Sequence, residues 1–153
     1  MKKCIIFIIT LLITIFSVLP IGASAAYNSS VELDSEIYLL VSKDSGTVVF
    51  SQNSDEKASP ASLVKIVTAI LAVENCKNLD EKVTVNSTAI RPLDNTGSTM
   101  AGLVPGEEIS VRDLLYCLML QSANDAANVL AEYTAGSIDA FVKMMNKFVT
   151  DLG

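Results

Sequence analysis

The sequence predicts an α/β (α+β) fold in which helices outweigh strands. Three observations carry that prediction. Two short apolar segments, 37–41 and 47–50, flank the turn-forming Asp44-Ser45-Gly46 and read as a β-hairpin. Ser59-Pro60 opens a long apolar segment that reaches about Asn75. Beyond residue 110, helix-like segments follow one another, separated by Ser122–Asp125 and by Gly136.

The N-terminus comes first in the chain. Lys2 and Lys3 precede an apolar run from Cys4 to Leu19, Pro20 breaks it, and Ala23-Ser24-Ala25 follows. This pattern predicts a secretory signal peptide over residues 1–25, cleaved after Ala25. A retained membrane anchor is the competing reading, but a spanning helix needs roughly 20 apolar residues. Export permits a disulfide between Cys76 and Cys117. Their apolar helical settings predict two buried free thiols instead.

Residues 26–36 are polar and form a lead-in to the hairpin, and 51–58 are a charged surface connection. Ser59 is the expected N-cap of the first helix, with Pro60 at its first position. The interior of that helix, 61–73, is apolar on nearly every side, which predicts a place at the centre of a domain. Residues 83–85 are a short strand candidate. Residues 86–109 read as irregular, broken by Pro92, Gly97, Gly102 and Pro105-Gly106. Ser110 and Asp113 form a capping-box pattern for a helix through Leu120. A second helix runs to about Tyr133. Ser137 caps a third, with Phe141, Met144, Met145, Phe148 and Leu152 on one face.

Composition excludes several chemistries. The net charge of the 153 residues is −6 and no basic cluster is present, which argues against nucleic acid as a partner. The chain has no histidine. A Ser-His-Asp triad, a Cys-His dyad and a histidine-based zinc site are therefore ruled out. Neither Cys76 nor Cys117 has a histidine to activate it.

Ser62 and Lys65 are three residues apart, so a helix sets them on one face, one turn apart. At the start of the helix Ser62 meets free N–H groups and the positive end of the dipole. Lys65 lies among Val64, Ile66 and Val67, where desolvation lowers the pKa of a lysine and suits it to act as a base. Ser-x-x-Lys alone is a weak pattern, expected about once by chance in a chain of this length. A second copy, Ser54 to Lys57, falls in the charged connection and is read as solvated. The bland alternative for Ser62 and Lys65 is a first-turn serine and a lysine whose head group reaches water.

Ser122-Ala123-Asn124 interrupts two helices, where side chains can project into a cleft. A second hydroxyl near Lys65 could relay a proton, and the Asn124 amide can both donate to and accept from a peptide group. Alternatively, Ser122 caps the following helix. Ser51-Gln52-Asn53 repeats the pattern at a strand end.

Ser-x-x-Lys on an apolar helix followed by Ser-x-Asn between helices resembles the penicillin-binding protein and serine β-lactamase superfamily. Pro60-Ala61-Ser62-Leu63-Val64-Lys65, Met100-Ala101-Gly102-Leu103-Val104-Pro105-Gly106-Glu107, Asp113-Leu114-Leu115-Tyr116 and Ser122-Ala123-Asn124-Asp125-Ala126-Ala127 are similar to segments of the low-molecular-mass D-alanyl-D-alanine carboxypeptidases. The resemblance covers residues 36–153. It implies a β-lactamase/transpeptidase-like fold, a five-stranded antiparallel sheet flanked by helices. It also implies Ser62 as acyl-ester nucleophile, Lys65 as proton acceptor, Ser122 as proton relay and Asn124 as substrate-binding residue. The implied substrates are peptidoglycan stem peptides ending in D-Ala-D-Ala, with β-lactam antibiotics acylating the same serine. No cofactor or metal is implied. The implied location is the cell wall at the outer face of the cytoplasmic membrane.

The chain departs from the family at Val64, where threonine is common, and at Gln121, where proline is common. The family's third motif, Lys-Thr-Gly on a strand lining the cleft, has no counterpart; Asn95-Thr96-Gly97 lacks the cation. Residues 26–153 are therefore expected to be the N-terminal part of a catalytic domain. Peripheral membrane association through a C-terminal region is a further family feature. Two other readings compete: another acyl-serine enzyme such as a β-lactamase, and a catalytically inactive secreted fragment.

Overall fold

The computed structural model describes residues 33–152, so the expected signal peptide over 1–25 lies outside the described residues. The chain divides between Ala58 and Ser59 into two compact units.

In the first unit, β1 (Tyr38–Val41) pairs antiparallel with β2 (Val48–Gln52), with Tyr38 opposite Gln52 and Leu40 opposite Phe50. The turn closes through Ser42 N–H to Thr47 O and Gly46 N–H to Ser42 O, both 2.8 Å. Gly46 sits at φ +66°, a conformation that glycine adopts without steric cost. Ser54 and Lys57 are exposed, as a solvated copy of the motif should be.

In the second unit a 3-10 turn, Ala61–Leu63, leads into α1 (Val64–Asn75). The expected Ser59 cap does not form. Pro60 stands at the N-cap of the turn without a side-chain bond, and Ala61 turns left-handed at φ +47°. Ser62 therefore lies in the 3-10 turn rather than at the third position of the α-helix.

The segment expected to be irregular carries more structure than its sequence advertises. After β3 (Lys82–Thr84) come α2 (Ser87–Ile90), a 3-10 turn Arg91–Leu93, and β4 (Glu108–Ser110). β3 and β4 pair antiparallel, Val83 opposite Ile109. β4 has one apolar residue in three, too short for a pattern. Its register is held from outside, by Val85 N–H to Glu107 O and Gly106 N–H to Val85 O, each 2.8 Å.

Three helices complete the unit: α3 (Val111–Leu120), α4 (Asn124–Ala135) and α5 (Ile138–Leu152). The capping box forms: Ser110 Oγ accepts from Asp113 N–H at 3.0 Å and donates to the Asp113 carboxylate at 2.5 Å. Gly136 ends α4 at φ +81°, and Ser137 Oγ accepts from Ala140 N–H at 3.1 Å to start α5.

The core lies where α1, α3 and α4 meet. Leu114, Leu118, Val129 and Leu130 are buried there with Val85 and Val111. A second cluster joins Leu71 and Ala131 to Phe141, with Met144, Met145 and Phe148 packed against them. Leu152 departs from the predicted face and is 73 % exposed. α1 is buried on one side only, along Lys65, Thr68, Leu71 and Ala72, while Val64, Ile66, Ile70 and Val73 are exposed. The expectation of a helix covered all round is thus not met among the described residues. Within this unit the Ala72 side of α1 packs with α3 and α4, while α5 meets α1 at Val67 and Leu71.

Leu118 is 1 % exposed in the close-packed centre of this core. Leu118→Ala should cost about 2–5 kcal/mol of unfolding free energy, measured by denaturant titration of the full-length protein. A loss under about 1 kcal/mol would show that α3 does not anchor the core.

Candidate active site

Lys65 is placed by the stripe it belongs to. Lys65, Thr68 and Ala72 recur at helical spacing on α1, and Ala72 seals against α3 and α4. The lysine is carried inward with it and is 7 % exposed. Burial holds its pKa below the ordinary lysine value of 10.5.

Ser122 is placed by the break between α3 and α4. Gln121 N–H and Ala123 N–H both donate to Cys117 O, at 3.3 and 3.2 Å, and Ala123 is fully buried. Between them Ser122 takes φ +56°, a left-handed conformation that costs a non-glycine residue about 1–2 kcal/mol. That turn brings both its carbonyl and its hydroxyl to Lys65. Nζ donates to Ser122 O at 2.6 Å and to Ser122 Oγ at 2.9 Å. Ser122 Oγ in turn donates to Ser62 Oγ at 2.9 Å. The cap reading of Ser122 is therefore replaced: Ala123 is the N-cap residue of α4, and no side chain caps it.

The three groups form one hydrogen-bonded chain, Ser62–Ser122–Lys65. Among the described residues, Lys65 Nζ hydrogen-bonds to Ser122 alone and meets Ser62 only through that hydroxyl. Hydroxyl protons can lie on either side of such bonds, so the same distances serve with Lys65 as donor or as acceptor. The arrangement can therefore move a proton from Ser62 to a neutral Lys65.

An open cleft of about 280 Å³ surrounds the chain, lined by Ala61, Ser62, Val64, Lys65, Thr99, Ser122 and Asn124. Asn124 lines this cleft, and its backbone N–H donates to Thr99 O at 2.8 Å. Thr99 is the lining residue that sequence reasoning missed. It lies 34 residues after Lys65 in the segment read as irregular, and no motif marks it. Asn95-Thr96-Gly97 lies outside the cleft lining, with Thr96 Oγ1 bonded to Leu93 O at 2.8 Å.

The cysteines take no part. Cys76 and Cys117 are free thiols, half-buried rather than fully buried. Burial, reinforced by the Asp125 carboxylate, pushes the Cys117 thiol up and away from the reactive thiolate. Among the described residues no cluster of metal-ligating side chains is present.

Comparison with known proteins follows the same lines. Residues 23–153 match the family profile described as D-alanyl-D-alanine carboxypeptidase. The chain is 36 % identical over 118 residues to D-alanyl-D-alanine carboxypeptidase DacF of Bacillus subtilis, covering 75 % of this chain and 30 % of that protein. It is 36 % identical over 128 residues to D-alanyl-D-alanine carboxypeptidase DacA of Escherichia coli K12, covering 80 % of this chain and 32 % of that one. Among solved structures, penicillin binding protein 5 from Haemophilus influenzae superposes with a TM-score of 0.73 at 29 % identity, over 82 % of this chain and 38 % of that one. The Streptomyces K15 DD-transpeptidase gives 0.74 at 29 % identity, over 82 % and 51 %. The chain spans about a third of the length of these curated relatives.

Proposed function

The chain belongs to the D-alanyl-D-alanine carboxypeptidase family, and from that premise we propose that it carries the nucleophile, base and relay of a serine-type D-Ala-D-Ala carboxypeptidase. The observation that carries the proposal is the hydrogen-bonded chain from Ser62 through Ser122 to Lys65. A serine needs a base to attack a peptide carbonyl. In a chain without histidine, a desolvated lysine one hydroxyl away supplies it.

The reaction runs in two halves. Neutral Lys65 accepts the Ser122 hydroxyl proton as Ser122 Oγ takes that of Ser62. Ser62 Oγ bonds to the carbonyl carbon between the two terminal D-alanines. The Ser62 N–H supplies part of the stabilisation of the oxyanion. The C–N bond then breaks, the leaving amine takes its proton back through Ser122, and D-alanine departs. An ester remains on Ser62. Water hydrolyses it, releasing the shortened stem peptide and restoring the serine. Asn124, which lines the same cleft, orients the substrate peptide. β-Lactams acylate Ser62 by the same attack, with the ring amide in place of the peptide.

The predicted signal segment supports export, which places the enzyme with its peptidoglycan substrate outside the cytoplasmic membrane. The test uses the full-length protein. Incubation with a stem peptide ending in D-Ala-D-Ala should release free D-alanine. Penicillin should leave a stable covalent adduct on the tryptic peptide bearing Ser62, detected by mass. Rapid release of hydrolysed penicillin without D-alanine release from the peptide would overturn the proposal in favour of a β-lactamase.

A further inference from the structure

Asp125 is a charged residue that the reaction does not use, and it is 1 % exposed. A carboxylate so buried must have its acceptor sites filled. All its partners are backbone N–H groups. Oδ1 accepts from Ala101 N–H and from its own neighbour Ala126 N–H, each at 2.9 Å. Oδ2 accepts from Gly102 N–H at 2.9 Å and Leu103 N–H at 3.0 Å. Among the described residues no cation pairs with it.

Three consecutive N–H groups of one loop therefore converge on a single side chain in the first turn of α4. Ionised acceptors make the stronger hydrogen bonds. The neighbouring residue adds a fourth tie between the same two segments, Asn124 N–H to Thr99 O at 2.8 Å. Thr99 lines the same cleft as Ser62, and it is exposed. The loop has no regular structure of its own to hold this position.

We infer that Asp125 is a positioning residue for the proposed reaction: it clamps the 99–103 segment so that Thr99 forms a fixed wall of the cleft and offers its hydroxyl to the bound acyl donor. The inference rests on the acyl-serine function proposed above and adds to it a residue that binds substrate and a residue that holds it in place. Asp125 touches neither substrate nor Lys65. Its effect falls on how well the donor is held, not on the proton path from Ser62 to Lys65.

The test compares the full-length wild type with Asp125→Asn, Thr99→Val and the double variant. Asparagine keeps the shape but turns an NH2 toward backbone donors. The penicillin concentration giving half-maximal acylation should rise roughly tenfold in Asp125→Asn, as expected for a misplaced binding group. It should rise about fivefold in Thr99→Val, which loses one hydrogen bond. The rate at saturation and its pH profile should stay within about twofold of wild type. The double variant should be no worse than Asp125→Asn within about twofold, because both act through one wall. Amide exchange at 101–103 should speed up at least about tenfold in Asp125→Asn.

An unchanged half-saturating concentration, additive losses in the double variant, or a loss confined to the fraction of active enzyme would overturn the inference. Should Asp125→Asn fail to fold, Thr99→Val alone decides, since unchanged half-saturation there removes the substrate contact. A wild type that penicillin never acylates would sink the acyl-serine function. Unaltered exchange at 101–103 in Asp125→Asn would instead sink the clamp.

Discussion

Ser62→Ala should abolish the proposed covalent penicillin adduct and D-alanine release together. Alanine removes the one oxygen proposed to form the ester, so no acyl-enzyme should accumulate at any time or concentration. The expected loss is complete within the detection of intact-mass analysis. The variant should still fold, because among the described residues the Ser62 hydroxyl is tied only to Ser122, and Ser122 keeps its bonds to Lys65. Retention of a penicillin adduct in Ser62→Ala would place the nucleophile elsewhere. Ser54 of the exposed second motif would then be the residue to examine.

Lys65→Met and Ser122→Ala should each slow acylation by about 10²–10⁴-fold, the range for losing a positioned base. The distinguishing expectation is that the two losses are of similar size. The hydrogen-bonded path from Ser62 to Lys65 passes through the Ser122 hydroxyl. Removing the middle of the path should then cost as much as removing its end. A mild effect of Ser122→Ala beside a severe effect of Lys65→Met would show that the lysine reaches Ser62 directly.

The pH dependence follows from the direction of the Lys65 shift. Burial lowers its pKa from the ordinary 10.5, so the neutral base appears at lower pH than for a solvated lysine. Acylation by wild type should rise with pH and level off above that lowered value. Lys65→Met should lose this rise. The linkage to stability has the same origin. With the folded pKa below the unfolded one, the unfolded chain binds more protons in the window between them. Lys65 therefore weakens the fold most below its folded pKa, and the burden fades as pH climbs toward 10.5. An acylation rate that is flat across this range would remove Lys65 as the base.

Much of the local structure was legible from residue chemistry. The Asp44–Gly46 turn, the Ser110–Asp113 capping box, the Gly136 stop and the Ser137 cap each depend on one residue meeting one nearby backbone group. Such signals survive in sequence because their partners lie within a few residues. The pair Ser62 and Lys65 was legible for a similar reason, since three-residue spacing brings both to one side of a helical turn.

The misses have the opposite character. Ser59 looked like a cap, but Ala61 adopts a left-handed conformation that alanine does not advertise, and Ser62 moves into a 3-10 turn. β4 pairs with β3 across more than twenty residues, on a strand too short to carry a pattern. Ser122 had two readings, a hydroxyl near Lys65 and a helix cap, and the choice between them rests on Lys65, 57 residues earlier in the chain.

By itself, then, the sequence excluded histidine-based catalysis and set a lysine in an apolar helix three residues from Ser62, with a Ser-x-Asn break downstream. Those local patterns each had a bland reading as well, and it was the family resemblance that tied them to acyl transfer by a serine. Tertiary structure alone decided how the groups connect. The left-handed turn at Ser122 inserts its hydroxyl between Ser62 and Lys65, and the buried Asp125 carboxylate brings Thr99 to the cleft. Both depend on contacts between residues far apart in the chain, where the favourable bonds made in the folded state offset local backbone strain and the burial of a charge. No local pattern in the sequence records such a balance.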